Sequence, residues 1–238
     1  MNYDVFNVGE SEFVYGWQYI QTRAQENPIF ISANLVDSKT QKPIFPPYKI
    51  KSFTYSYETV DSKNRIQSTK VKTNIAILGV LSQSQIPQIQ AYLQADSTLC
   101  TIANPVEISN KLIPTLRKNS DIVIVLAHLP QSEAENFAKQ VPGIDILITG
   151  HDSIQLVNPP LLVGTDTTVK RAIMVTNGDR GRMGGSLELR FNQAKRIINF
   201  RGKEIPLSSE FADDSTVATL VAEYKKAVAA LAPVPDRR

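Results

Sequence analysis

The sequence is poor in the residues that most often carry chemistry. In 238 residues it has one cysteine, Cys100, and two histidines, His128 and His151. One thiol excludes an internal disulfide, and with no CxxC or CxxCH spacing the zinc-ribbon, thioredoxin-like and covalent-haem classes fall away. Cys100, in STLCTIA, reads as a small core hydrophobe rather than a nucleophile. An excess of one charge is also missing. There are 26 basic and 23 acidic residues, a net charge of +3, and the basic residues are scattered, which excludes an electrostatic nucleic-acid binder. No apolar run nears the roughly 20 residues of a membrane-spanning helix. The opening MNYDVFNVGE lacks the basic start of a secretory signal and reads as a core strand so close to the first residue that the chain looks cut.

What is present is the composition of a globular protein, 42% hydrophobic and 21% charged, with length for one large domain or a domain and a small appendage. Apolar runs at YDVFNVG, PIFISANL, TNIAILGVL, DIVIVLAH and GIDILITGH predict buried strands. YKIKSFTYSYETV alternates and predicts a half-exposed strand, and DSKNRIQSTK a polar hairpin loop. Helices are predicted over VYGWQYIQTRAQEN, SQIPQIQAYLQA, PVEISNKLIPTLRK and DSTVATLVAEYKKAVAAL, the last capped by Asp214 or Ser215. SEAENFAKQV predicts a helix with Ser132 as N-cap and Glu135 closing a capping box. With its flanking strands it makes a βαβ crossover, hence a parallel or mixed sheet. Beyond Pro160 the runs predict antiparallel strands with glycine turns.

Three loops follow strand ends: GESE at 9–12, AHLP at 127–130 and GHDS at 150–153. Open α/β sheets bind ligands at the carboxyl ends of their strands. Strands ending at Val8, Ala127 and Gly150 are expected in one sheet, bringing Glu10, His128 and His151 to one pocket. Two imidazoles and a carboxylate suit Zn, Fe or Mn. The plain alternative leaves each histidine a core or surface residue with its own hydrogen bond, and Glu10 in solvent.

Several segments, in order, resemble the metallophosphatase domain of the 5′-nucleotidase family, within the calcineurin-like metallophosphoesterases. MNYDVFNVGESEF is similar to that family's GYDAxxxGNHEFDYG, and FISANLVDSKTQKPIFPPYKIK to its LSANxxxxxxGxPxxxPYxIK. TNIAILGVLS, KLIPTLRKNSDIVIVLAHLP, VPGIDILITGHDS and DRGRMGGSLELRF follow. The resemblance implies an α/β fold, a four-layer α-β-β-α sandwich with mixed sheets and its first strands missing. It implies a partial metallophosphatase domain over 1–232 and a Pro-rich tail or linker over 233–238.

The family pattern implies two metals clamping a phosphoryl oxygen. Its Asp-x-His and Gly-Asp loops have no match here. Its Gly-Asn-His-Glu is Gly9-Glu10-Ser11-Glu12, so Glu10 stands in the place of an Asn ligand and Ser11 in that of the catalytic acid His. Glu12 is left a structural role, capping or bonding backbone amides. Its Gly-His-x-His is Gly150-His151-Asp152-Ser153, without the second His. The implied metal ligands are Glu10, His128 and His151, one partial site for a divalent ion (Zn, Mn or Fe) in place of the two-metal site. The implied function is metal-dependent hydrolysis of phosphomonoesters, nucleotides among them, impaired or lost. The alternatives are a non-catalytic binding or structural module and a mononuclear metal hydrolase. The implied partners are a phosphate ester or nucleotide, no nucleic acid, and a neighbouring domain or a second copy at an exposed sheet edge. The implied location is extracytoplasmic, periplasmic or secreted.

Overall fold

The computed structural model describes residues 3–61, 63–151, 160–164, 171–178 and 181–231. Two units are described, Met1–Ile205 and Pro206–Arg238. In the first, strands β1 (Phe6–Asn7), β2 (Phe30–Ile31), β3 (Leu35–Asp37), β4 (Tyr48–Val60), β5 (Ile66–Leu81), β6 (Cys100–Ile102), β7 (Ile122–His128), β8 (Ile146–Thr149), β9 (Leu161–Val163), β10 (Ala172–Val175), β11 (Met183–Phe191) and β12 (Ile197–Pro206) alternate with helices. The helices are α1 (Trp17–Glu26), α2 (Ile86–Leu93), α3 (Pro105–Asn119) and α4 (Gln131–Gln140). In the second unit α5 (Ser215–Ala229) is capped by the Asp214 carboxylate, which accepts from the Thr216 and Val217 N–H groups.

A six-stranded mixed sheet, in the order β4-β5-β7-β8-β10-β9, is the frame. Strands β5, β7, β8 and β10 run parallel, and β4 and β9 close the edges antiparallel. On one side Ile113 and Leu116 of α3 and Ala134 and Phe137 of α4 bury against Leu78, Val125 and Leu147. A second core, with Phe13, Ile20, Leu35, Leu81, Ile89 and Ile102, joins the small sheets β1-β2 and β3-β6 to α1 and α2. Asn34 joins the sheets: its amide donates to the Leu81 and Ala103 carbonyls and its oxygen accepts from the Leu81 N–H. Each of these groups would be costly to bury unpaired. Gly79 lets β1 lie against β5, since a Cβ there would run into the Asn7 side chain and sit 2.9 Å from Ile31 Cγ1.

The structure corrects five local expectations. β1 is only two residues long and pairs with β2, so Val8 does not end a strand of the sheet that holds β7 and β8. The helix expected over 14–27 is broken at Gly16, whose φ of 84° is left-handed, with a 3₁₀ turn before it and α1 after it. The hairpin loop shrinks to Asp61–Arg65, closed by the Asp61 carboxylate accepting from the Lys63 and Arg65 N–H groups, and β5 begins at Ile66. Alternation of apolar and polar residues thus continues through what reads as a polar loop. Ser132 is not an N-cap: α4 starts at Gln131 after Pro130, with no side-chain cap. The Gln131 side chain instead donates to Glu135. Strand β10 pairs antiparallel with β9 as expected, but its other neighbour, β8, is parallel to it. The proposed tail 233–238, with Asp152 and Ser153, lies outside the described residues.

Two expectations about stability follow. Asp145, 1% exposed, accepts from the Val123 N–H and pairs with Arg117, whose Nε donates to the Gly143 carbonyl. Asp145→Ala leaves the buried Val123 N–H without its acceptor and a part-buried Arg117 without its partner, and should cost about 1–3 kcal/mol in urea unfolding. Cys100 is 3% exposed, and burial pushes its thiol up to about 11. Because the thiolate is the nucleophile, native protein at neutral pH should react with a disulfide reagent only after unfolding, gaining reactivity toward pH 11. Rapid titration of the folded protein at pH 8 would contradict this.

Candidate metal centre

Parallel register places the two histidines. Ala127 pairs with Thr149 and Leu81 with His128, so His128 ends β7 and His151 lies two residues past β8 at the same sheet edge. The Gly150 N–H donates to the Ala127 carbonyl at 3.2 Å, fixing the turn between them. His128 Nε2 lies 3.2 Å from His151 Nδ1, with the rings 4.9 Å apart and nearly perpendicular.

Glu10 arrives from the smaller β1-β2 sheet. The Val8 N–H donates to the Ile31 carbonyl, and Glu12 Oε2 accepts from the Gly9 N–H at 2.6 Å. Glu12 thus has the backbone-bonding role read from the sequence. Glu10 is 9% exposed, and its Oε2 lies 2.5 Å from His128 Nε2. That hydrogen bond, helped by a backbone bond and by both imidazoles and opposed by burial, holds the carboxyl down at about 2. Ser11 is exposed, its Oγ 3.4 Å from Glu10 Oε1. Beside the cluster is a cleft of about 400 Å³, lined among others by Phe6, Glu10, Ser11, His128, Ile148 and Gly150.

Ligand atoms of Glu10, His128 and His151 all lie within 4.8 Å of one another. His128 Nε2 has one lobe in its ring plane, yet it faces both Glu10 Oε2 and His151 Nδ1. A proton donated from Nε2 to Glu10 fills that lobe and leaves none for His151 Nδ1; a divalent cation takes one lone pair from each of the three atoms. One carboxylate and two imidazoles fit Zn, Mn or Fe, and the fit stands on this donor set. Sequence reasoning missed Gln85, 5% exposed, whose amide nitrogen lies 3.4 Å from His151 Nε2. It also missed Ser82, Ser84 and Glu133 behind it. The signal was available, since SQSQ follows the carboxyl end of β5 as AHLP follows that of β7.

No family model matches the chain. Over 163 residues, 63% of its length, it is 34% identical to a 2′,3′-cyclic-nucleotide 2′-phosphodiesterase/3′-nucleotidase of Salmonella typhimurium. The calcineurin-like phosphoesterase YfkN from Bacillus subtilis superposes on 94% of the chain and 70% of its own, with a TM-score of 0.70 and 18% identity. The fold is that of the calcineurin-like metallophosphoesterases. A 5′-nucleotidase precursor from Thermus thermophilus shares it over 95% of this chain and 44% of its own, with a TM-score of 0.69 and 20% identity. These relatives are of the family that the motifs resemble. The chain spans 23% of the Salmonella protein's length. Within this metallophosphoesterase fold, Glu10, His128 and His151 sit at strand ends of two sheets that face each other.

Removing the Glu12 carboxylate tests how that loop is held. Glu12→Ala strands the buried Gly9 N–H and should cost about 1–3 kcal/mol in thermal or urea unfolding. Glu12→Gln, which keeps an acceptor oxygen, should cost less.

Proposed function

We propose that the chain carries a one-metal phosphoester-hydrolase centre in which Glu10, His128 and His151 hold a single divalent ion, Zn, Mn or Fe. The observation that carries this reading is the convergence of three ligand atoms from three separate strand ends within 4.8 Å. A bound divalent ion supplies Lewis acidity toward a phosphoryl oxygen. Glu10, ionised down to about 2, contributes the negative charge of the ligand set. His128 and His151 contribute neutral nitrogens on a rigid sheet edge. The cleft beside them admits the ester, and the Salmonella relative's name points to nucleotides as its class.

In this reading turnover is low. Ser11 occupies the place of the acid, and a serine hydroxyl does not protonate a leaving group at neutral pH; such acids contribute about 10²–10⁴-fold. The three ligands at hand, Glu10, His128 and His151, suffice for one ion. The exposed Ser11 also favours a second reading, a phosphate-ester-binding module without catalysis. The assignment of 1–232 to one partial metallophosphatase domain, and a place outside the cytoplasm, belong to the same proposal and rest on the resemblance. Among the described residues no helix is long and apolar enough to cross a membrane.

Titration with Mn²⁺ or Zn²⁺ by calorimetry should give one ion per chain, and His128→Ala should abolish it. Hydrolysis of bis-p-nitrophenyl phosphate, 3′-AMP and 2′,3′-cyclic AMP in the presence of either metal should stay below about 1 per second, under the range common to enzymes. Two ions per chain, or turnover at or above that rate, would overturn the reading.

A further inference from the structure

The segment from Phe13 to Asn27 carries two aromatic strips, and the core uses one of them. Phe13 and Ile20 are buried in the second core, with Trp17 packed against it. Tyr15, Tyr19, Arg23 and Asn27 follow one another at intervals of four, the spacing of neighbours on one helical face. Gly16 breaks the helix between the first two, yet the Tyr15 and Tyr19 rings stay 5.0 Å apart. Tyr15 is 73% and Tyr19 45% exposed, so this strip serves no core. The Arg23 guanidinium lies over the Tyr19 ring, 5.4 Å from its centre, and bonds Glu26 through one nitrogen at 3.0 Å.

The outer strip lines a cavity of about 360 Å³, a size that suits a small organic molecule. Phe6 of β1 and Phe30 of β2 line it too, paired in register with their rings 5.3 Å apart and edge to face. The cavity continues into the cleft of the metal centre, because Phe6, Ser11 and Glu12 line both. Glu12 uses Oε2 on the Gly9 N–H, and its other oxygen is a further acceptor. From the cluster outward the lining changes in order: ligand atoms, then a hydroxyl and a carboxylate, then aromatic rings, then a cation. Single exposed tyrosines need no explanation. A stacked pair in a cavity continuous with a candidate metal centre does, and the order of its lining matches a nucleoside monophosphate: phosphate, hydroxylated sugar, planar base.

We propose that this cavity is the base subsite for a nucleoside monophosphate: the base lies against Tyr15 and Tyr19, the ribose hydroxyls donate to Glu12, and the phosphate reaches the metal centre. The placing of the phosphate rests on the metal-centre reading; the base subsite does not. Every base has a π face, so stacking on the two rings takes purines and pyrimidines alike. Arg23 holds the Tyr19 ring by its charge, and the N–H groups it does not give to Glu26 are donors for ring nitrogens and carbonyls of the base. Tyr15 and Tyr19 bind and orient, and take no part in bond breaking. A phosphorylated sugar without a base lacks this contact, so the cavity selects nucleotides over sugar phosphates.

Adenosine, which has no phosphate, tests the subsite alone. In metal-free wild type its base protons should receive saturation from the protein in difference NMR. The double variant Tyr15→Ala, Tyr19→Ala should weaken adenosine binding about tenfold, within the range that base–aromatic stacking carries. Tyr55→Ala, which removes an exposed ring from a different cleft, should leave it unchanged, and ribose 5-phosphate should not displace adenosine. Thermal unfolding verifies each fold; should the double variant not fold, Tyr19→Leu keeps apolar bulk without the ring and should weaken binding in the same direction. With Mn²⁺ present, 3′-AMP should bind more tightly than adenosine, and His128→Ala should remove that gain while leaving adenosine bound. Adenosine that does not bind, or that binds wild type and double variant equally, would overturn the proposal. So would a wild-type dimer that the double variant makes monomeric in sedimentation with no adenosine bound, since the strip would then be a contact between copies. Adenosine held through Tyr15 and Tyr19 with no gain from Mn²⁺ supports the subsite and removes the metal-centre reading; one Mn²⁺ per chain without adenosine binding does the reverse.

Discussion

The arrangement depends on the parallel register of β5, β7 and β8. Pairing Leu81 with His128 and Ala127 with Thr149 brings three strand ends to one level. Strand side chains alternate faces, and a slip of one residue would turn each to the opposite side. The register is held by one face, where Val123, Val125 and Leu147 are fully buried while Ile148 on the other is 38% exposed, so a slipped strand would lose its core along with its site. The two imidazoles therefore meet because the hydrophobic pattern of their strands admits one alignment. Glu10 is fixed separately, through β1 lying against Gly79 and through Glu12, and so it closes the cluster from the facing layer.

Polar atoms in this fold are placed where strands end. Asn34 satisfies both ends of its amide while joining two sheets. Asp145 and Arg117 do the same at the amino end of β8. At the carboxyl end Ser82, Gln85 and Thr149 are buried polar residues, two of them behind His151. A few groups have no hydrogen-bond partner among the described residues, namely Asn7 Oδ1, Thr73 Oγ1 and Ser109 Oγ, and none belongs to the centre. The sheet edge concentrates satisfied polarity beside the cluster of Glu10, His128 and His151.

Much of this was legible in the sequence. The βαβ unit and the placing of both histidines at strand ends follow from uninterrupted apolar runs, and the half-exposed β4 from its alternation. The meeting of Glu10 with His128 was legible as well, but its route was not. Its strand is two residues long and belongs to another sheet, and a short apolar run does not say which sheet it joins. Gln85 was missed because amides and hydroxyls after a strand look like a solvated turn; only the register that brings Ser82 beside His128 gives them a role. The helix start at Gln131 was misjudged since a serine three residues before a glutamate satisfies the spacing of a capping box. The N-cap position falls on Pro130, two residues too early for Ser132 to use it. Beyond β8 the direction of β10 depends on a connection that carries no periodic signal.

One strand of the frame has two characters. From Ile75 to Leu78 β5 is bonded on both sides, to β4 and to β7, from Gly79 to Leu81 it pairs with β7, and from Ile66 to Asn74 it is bonded to β4 alone. Its side chains follow the same division, exposed over residues 66–70 and buried from Leu78 onward. Local opening free energies track such differences in contact and solvent access. The ribbon tip can therefore open and reclose many times during one lifetime of the sheet's centre. Amide exchange along this single strand would read as a gradient, fast at Ile66 and approaching the global unfolding rate at Leu81, where the strand hands its last bonds to Asn34.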